Sequence, residues 1–296
     1  MAALDLRGTY TALVTPFKKD LTIDFEKFNE LLDFQIENGV DGVVVCGSTG
    51  ESATMSNKEK IALIVSAVEH VKGRIKVIAG TGSNDTAATI DLSILAKEAG
   101  VDALLIVCPY YNKPTQEGLY YHYKAIADAV DIPQILYNVP SRSGVNIQAE
   151  IQLKLAKDCN NIVATKEASG NMDQVMEIIR KKPNDFFVLS GEDSLTVPLI
   201  AMGADGVIGV MPNYAPKMFS DAVSNALKGN IKTAARIHYK LFDLMQLNFI
   251  ESNPIPVKAA LAIMGKLEEN YRSPLYPIHP DNRKKLERAM KKLKLV

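Results

Sequence analysis

The chain has 296 residues, 47% hydrophobic and 23% charged, which is typical of a soluble globular protein long enough for one large domain. Lysine plus arginine equals aspartate plus glutamate at 34 each, so the zero net charge supports neither a nucleic-acid partner nor a membrane-surface partner. No apolar run approaches the ~20 residues that span a bilayer, and the first seven residues lack the basic-then-apolar layout of a signal peptide. The three cysteines and four histidines are too scattered for disulfides or a metal site, so we expect a cytoplasmic protein.

Short β-rich runs recur roughly every 20–35 residues along the chain, each followed by a helical pattern. These runs are nearly all apolar rather than alternating, as expected for strands of a parallel sheet that is covered on both faces. Eight strands are predicted: Gly8–Val14, Gly42–Cys46, Lys76–Ala79, Ala103–Val107, Gln134–Tyr137, Ile162–Lys166, Phe187–Ser190 and Gly206–Val210.

The segments between these runs carry helix signals. Apolar residues stand three and four positions apart, as in Ile61, Ile64, Val65 and Val68. Asp24 and Ser56 precede such segments as N-caps, and Glu59 follows Ser56 at the spacing of a capping box. Gly39 and Gly100 follow predicted helix ends, where glycine is favoured.

Eight β/α units predict an α/β fold of the (β/α)8 TIM-barrel type over residues 1–229. A doubly wound open sheet is the alternative, but Gly80-Thr81-Gly82 is too short for its glycine fingerprint. Residues 230–296 predict a C-terminal helical extension that packs on the barrel or forms a subunit interface. Its helices are predicted at Ile231–Asn248, Pro254–Gly265 and Asp281–Leu293.

Lys166 is predicted at the carboxyl end of the sixth strand, and barrel active sites form at that end of the strands. By itself it reads as a lysine that emerges into solvent or a salt bridge, and its polar neighbours also have structural readings. Gly47-Ser48-Thr49-Gly50 can be a tight turn or an anion cradle, the tyrosines can be packing residues, and Arg142 can be solvated. Together they supply an amine nucleophile, hydroxyls, an anion cradle and a guanidinium, a set that suits Schiff-base chemistry on a 2-oxo acid.

Three ordered motifs carry a resemblance that covers nearly the whole chain. Gly47–Glu51, Tyr137–Gly144 and Lys166–Gly170 resemble the signatures of the pyruvate-dependent class I aldolases, the family of the dihydrodipicolinate synthases and N-acetylneuraminate lyases. The segment Asn253–Lys258 is similar to the C-terminal motif of that family. Arg142 favours the synthase branch, because the sialic acid lyases have no arginine at this point.

The resemblance implies condensation of pyruvate with L-aspartate 4-semialdehyde through a lysine Schiff base and without a cofactor, in a homotetramer built as a dimer of dimers. Lys166 is the implied nucleophile and Tyr137 the proton relay. Ser48 and Tyr111 complete the relay, with Tyr111 reaching the site of a neighbouring subunit. The implied substrate-binding residues are Thr49 for the pyruvate carboxylate, Arg142 for the semialdehyde carboxylate, and Gly191 and Ile208 through their carbonyls.

Two departures from the family pattern bear on function. Synthases usually have threonine where this chain has Ser48, which keeps the hydroxyl but loses the methyl group. Lysine-inhibited relatives have histidines at the positions of Asn57 and Lys60 and a glutamate at that of Ala88, so we expect weak lysine inhibition or none. The remaining possible allosteric positions are Ser52, Ala53, Asn84 and Tyr110.

Three other functions remain as alternatives at this point. One is a lyase or aldolase of the same family acting on a longer 2-oxo acid such as N-acetylneuraminate. Another is a non-catalytic barrel that senses a small carboxylate, against which Lys166, Tyr137 and Arg142 argue. The third is a phosphate-binding barrel enzyme, which the carboxylates of Glu192 and Asp193 disfavour.

Overall fold

The computed structural model describes residues 4–296 and contains one closed barrel of eight parallel strands in chain order. The strands are β1 (Gly8–Ala12), β2 (Gly42–Val45), β3 (Lys76–Gly80), β4 (Ala103–Val107), β5 (Gln134–Asn138), β6 (Ile162–Glu167), β7 (Phe187–Ser190) and β8 (Gly206–Gly209). Pairing of β8 with β1 closes the barrel. The predicted (β/α)8 barrel is therefore confirmed, and the open doubly wound sheet is excluded.

Helices alternate with the strands and continue beyond the barrel. They are α1 (Phe25–Glu37), α2 (Asn57–Val71), α3 (Thr86–Glu98), α4 (Gln116–Ala129), α5 (Pro140–Ser143), α6 (Ala149–Asp158), α7 (Met172–Lys181), α8 (Thr196–Ala201), α9 (Pro216–Leu227), α10 (Ile231–Leu247), α11 (Ile255–Ile263) and α12 (Pro280–Lys292). The last three form the C-terminal extension. Across residues 4–296, none of the helices combines the length and apolar character that crossing a bilayer requires.

Most predicted element ends agree with the structure to within two residues. The first strand ends at Ala12 rather than at the predicted Val14. The Asp24 cap and the reciprocal capping box of Ser56 and Glu59 are both present. Gly39 and Gly100 have positive φ angles of 75° and 88°, as residues that follow helix ends often do.

The predicted apolar stripe of α2 is displaced from its buried face. The helix buries Leu63, Ile64, Ala67 and Val71. Of the predicted stripe only Ile64 is fully buried, and Ile61 and Val68 pack at the margin of the core. The buried face runs through Leu63, Ala67 and Val71, and it includes the small side chain of Ala67, which the spacing of the larger apolar residues does not mark.

An irregularity between β5 and β6 determines which way the end of β6 faces. Gln134 pairs with Ile162, but Ile135 pairs with Ala164, so one extra residue lies in β6. Gln134 faces outward, because its side chain donates to carbonyls of α4. Ile162, the partner of Gln134, faces outward too, and regular alternation along β6 would then turn Lys166 outward. The extra residue shifts the alternation by one position, so that Lys166 faces inward. Lys166 is thus placed inside the barrel.

Candidate active site

Lys166 and Tyr137 lie side by side at the carboxyl ends of neighbouring strands. They are paired in register across β5 and β6. Lys166 is only 5% exposed, and its Nζ atom lies 4.2 Å from the centroid of the Tyr137 ring. No hydrogen bond or ion pair from this Nζ to another side chain occurs within residues 4–296. The structure therefore presents a buried amine against an aromatic face, with no carboxylate bound to it.

A hydrogen-bonded network holds the outer side of the same two strands. Asn138 and Glu167, the residues next to Tyr137 and Lys166, pair in register, and Asn138 Nδ2 donates to Glu167 Oε1 at 2.6 Å. Gln174 Nε2 donates to the other carboxylate oxygen at 3.0 Å. Burial raises the pKa of the Glu167 carboxyl, and these hydrogen bonds oppose the rise. The network fixes the register that places the amine beside the tyrosine.

The loop after β2 presents two hydroxyl groups in different environments. Thr49 is buried, with 3% of its surface exposed, whereas Ser48 is exposed. The loop turns through Cys46 and Glu51, whose φ angles of 59° and 55° lie in the left-handed region. Within residues 4–296, no side chain links Ser48 to Tyr137 through hydrogen bonds. The predicted proton relay is therefore not continuous within one chain.

Arg142 and Thr49 are both contacted by Asn253, which precedes α11. The Asn253 Nδ2 atom donates to Thr49 Oγ1 at 2.9 Å. The Arg142 Nη2 atom donates to the backbone carbonyl of Asn253 at 3.3 Å. One residue of the C-terminal extension therefore connects the two side chains predicted to bind substrate carboxylates.

The loop after β4 carries two exposed tyrosines. Tyr111 is 88% exposed and has a φ angle of 72°, which is uncommon for an aromatic residue. Tyr110 is 41% exposed. This loop is hydrogen-bonded to the loop after β3, because Asn112 Nδ2 donates to the carbonyl of Asn84 at 2.8 Å. Tyr111 is therefore presented to solvent at the surface of its own chain.

A cavity of about 390 Å³ opens between the loops after β2, β3, β4 and β5 and the C-terminal extension. Ser48 and Arg142 line it, while Lys166 and Tyr137 lie in the barrel interior and do not. Of the four possible allosteric positions, Asn84 does not line the cavity. The positions compared above with lysine-inhibited relatives that do line it are Ser52, Ala53, Asn57, Lys60, Ala88 and Tyr110.

The ends of β7 and β8 provide the remaining predicted positions. Gly191 donates its N–H to the Glu167 carbonyl at 2.7 Å, and a Cβ there would lie 2.5 Å from that of Ala168, which explains the glycine. Ile208 is fully buried in the barrel interior. The Asp193 carboxylate accepts two backbone N–H groups from the end of β8, and burial raises its pKa to about 6.

Glu192 is an acidic residue next to the end of β7. No catalytic or substrate-binding role was assigned to it from the sequence. Burial raises the pKa of its carboxyl, and the positive charges of Lys166 and Arg142 oppose the rise. Its position directly after β7 was the available signal, since strand ends of a barrel share one face.

A buried ion pair joins the extension to the loop after β2. Lys258 Nζ lies 2.6 Å from Glu51 Oε1, and neither side chain has any exposed surface. Glu51 Oε2 accepts the backbone N–H of Arg272 at 3.2 Å. The motif Asn253–Lys258 is visible in the sequence, but the ion pair is not, because its two partners are 207 positions apart.

Comparisons with known proteins agree on one family. The sequence profile of the dihydrodipicolinate synthetase family matches residues 5–293. The 4-hydroxy-tetrahydrodipicolinate synthase of Chloroherpeton thalassium is 48% identical over 296 residues, covering 100% of this chain and 98% of that protein.

Two solved structures illustrate the likeness in three dimensions. The crystal structure of dihydrodipicolinate synthase from Aquifex aeolicus is 48% identical, with a TM-score of 0.96 over 98% of this chain and 99% of that one. The chloride-inhibited enzyme from Acinetobacter baumannii, complexed with pyruvate, is 41% identical, with a TM-score of 0.96 over 98% of this chain and 100% of that one.

Proposed function

The chain belongs to the dihydrodipicolinate synthetase family, and on that premise we propose that it condenses pyruvate with L-aspartate 4-semialdehyde to give 4-hydroxy-tetrahydrodipicolinate. This reaction is the first committed step toward diaminopimelate and lysine. The observation that carries the proposal is the buried Lys166 amine, which lies 4.2 Å from the Tyr137 ring at the catalytic end of the barrel.

Lys166 Nζ attacks the C2 carbonyl of pyruvate, and loss of water from the adduct gives an iminium. A proton then leaves the pyruvate methyl group, and its electron pair flows into the iminium nitrogen to form an enamine. The enamine carbon attacks the aldehyde carbon of the semialdehyde, and the aldehyde oxygen takes up a proton. The amino group of the product attacks the restored iminium carbon, closes the ring and releases the Lys166 amine.

Proton transfer in these steps is assigned to hydroxyl groups. Tyr137, whose ring centroid lies 4.2 Å from Lys166 Nζ, serves as the proton carrier. Ser48 and Tyr111 extend the relay toward water. The exposure of Tyr111 supports a role in the site of a second subunit, because an exposed tyrosine on a surface loop is free to contact a neighbouring chain.

The two substrate carboxylates have separate binding groups. Thr49 is buried in the loop after β2 and holds the pyruvate carboxylate, while Arg142 lines the cavity and holds the semialdehyde carboxylate. Gly191 and Ile208 orient the site through their backbone carbonyls. The working assembly is a homotetramer built as a dimer of dimers, in which each dimer exchanges Tyr111.

Borohydride trapping tests the proposal directly. Incubation with pyruvate and borohydride should add one reduced pyruvyl group to the intact mass, and Lys166→Ala should abolish the adduct. Lys284→Ala, at an exposed lysine of α12, is the matched control and should leave the adduct intact. An unmodified wild-type mass would refute the Schiff base, whereas an adduct with faster turnover of N-acetylneuraminate than of the semialdehyde would change the second substrate.

A further inference from the structure

Asn253 is held in a position where only part of its hydrogen-bonding capacity is used for structure. It is 6% exposed, and its Nδ2 atom donates to Thr49 Oγ1 at 2.9 Å across 204 positions of sequence. Its Oδ1 atom is buried without a protein partner among residues 4–296. Leaving a buried acceptor unpaired costs about 1–3 kcal/mol, so this orientation of the amide is poorly explained by stability alone.

The direction of this hydrogen bond determines what the Thr49 hydroxyl can do. A hydroxyl has one hydrogen to donate and two lone pairs to accept with. Asn253 Nδ2 occupies a lone pair of Thr49 Oγ1, so the hydroxyl hydrogen must point elsewhere. No residue in the described part of the chain accepts it. The hydroxyl is therefore available as a donor, which is what an anion requires.

We propose that Asn253 is a positioning residue for pyruvate: by donating to Thr49 Oγ1, it presents the Thr49 hydroxyl as a hydrogen-bond donor to the substrate carboxylate. This inference rests on the proposed function, which takes pyruvate as the first substrate. The backbone carbonyl of Asn253 also accepts from Arg142, so the same residue fixes the spacing between the two carboxylate-binding groups.

Asn253→Asp separates this role from a structural one, because aspartate has nearly the same shape but only accepts hydrogen bonds when ionised. The Thr49 hydroxyl would then donate to the new carboxylate instead of to pyruvate, and the two anions would repel each other. The KM for pyruvate should rise about tenfold or more. Asn253→Ala removes the amide without adding charge and should raise it by about three- to fivefold.

The kinetic constants distinguish a role of Asn253 in positioning the Thr49 hydroxyl from a general loss of folded or active enzyme. At saturating pyruvate, kcat and the KM for the semialdehyde should change less than about threefold in both variants. Borohydride trapping at low pyruvate should slow in proportion to the rise in KM. If Asn253→Asp matches the wild type, or if Asn253→Ala is the more harmful change, Thr49 donates to Asn253 and the proposal is wrong.

A double-mutant cycle tests whether Asn253 acts through Thr49. Thr49→Val removes the hydroxyl, so adding Asn253→Ala to it should cause little further loss of pyruvate binding. Additive effects of the two substitutions would overturn the proposal. If the wild type forms no adduct with pyruvate, the proposed function itself fails; if it does and the cycle is additive, only the role of Asn253 fails.

Asn248→Asp is the matched control for a carboxylate introduced at a buried asparagine. Asn248 lies at the end of α10, is fully buried and accepts a hydrogen bond from Tyr214 at 2.8 Å, with no contact to Thr49. Its substitution should lower the melting temperature at least as much as Asn253→Asp, with less than about a threefold change in the KM for pyruvate. A tenfold rise would mean that loss of stability explains both variants, against the proposal.

Discussion

Replacing Lys258 with methionine should destabilise the protein strongly while keeping a side chain of similar length. The Lys258 ammonium is the charged partner of Glu51 at 2.6 Å, and it also donates to the carbonyl of Asn270 at 2.6 Å. Both side chains of the pair are 0% exposed. In Lys258→Met the Glu51 carboxylate would keep one hydrogen-bond donor, the backbone N–H of Arg272.

The expected loss follows from leaving a charge buried and unpaired. Breaking a buried ion pair on one side costs about 3–5 kcal/mol. Unfolding entropy is about 2.1 cal/mol/K per residue, so a chain of 296 residues gains ~0.6 kcal/mol/K on unfolding. Lys258→Met should therefore lower Tm by about 5–8 °C.

Thermal unfolding at fixed protein concentration measures this loss. Lys258→Met combined with Glu51→Gln removes both charges and should recover at least half of the lost Tm, since a neutral amide is far less costly to bury than a carboxylate. Lys284→Met removes an exposed pair with Asp281 at 3.4 Å and should change stability by less than about 1 kcal/mol. A loss below 2 °C (about 1 kcal/mol) in Lys258→Met, or no recovery in the double variant, would refute the reasoning.

Three further predictions concern substrate, effector and pH. Arg142→Ala should raise the KM for the semialdehyde about tenfold or more while leaving the borohydride adduct with pyruvate, and unchanged steady-state kinetics would contradict its role. Millimolar L-lysine should inhibit weakly or not at all in the same assay, because Lys60 lines the cavity and Ala88 offers no carboxylate; strong inhibition would refute this. Burial lowers the pKa of His122 from 6.5 to about 4, so the unfolded chain binds more protons between these values. Stability present above pH 6.5 should fall by on the order of 3 kcal/mol as pH drops toward 4, and denaturant unfolding of His122→Gln should lack that component; an unchanged pH dependence would contradict it.

The barrel was predictable because its strands are nearly continuous apolar runs and its helices have recognisable ends. The orientation of Lys166 was not predictable in the same way. It depends on one extra residue in β6, which is defined by the backbone pairing between β5 and β6. The order of apolar and polar side chains along the strand does not reveal that pairing. A strict period of two from Ile162 would have turned the amine toward the helices.

The candidate site was predictable where its residues stand at strand ends and not where they come from distant segments. Lys166, Tyr137 and Thr49 each follow from position in a strand or in the loop after it. Asn253 carries no such local signal for the contact it makes with Thr49. A hydrogen bond across 204 positions is set by how the extension packs, and no periodicity encodes it.

The predicted division at residue 230 follows the end of the barrel but not the boundary of the site. Asn253 hydrogen-bonds Thr49, and Lys258 neutralises Glu51 two residues further along the same loop. A barrel without the extension would leave Glu51 as a carboxylate lacking its cation and would leave the Thr49 hydroxyl without its orienting donor. Since the loop after β2 contains the proposed pyruvate carboxylate site, the contacts that hold this loop against the extension contribute both to stability and to the proposed chemistry.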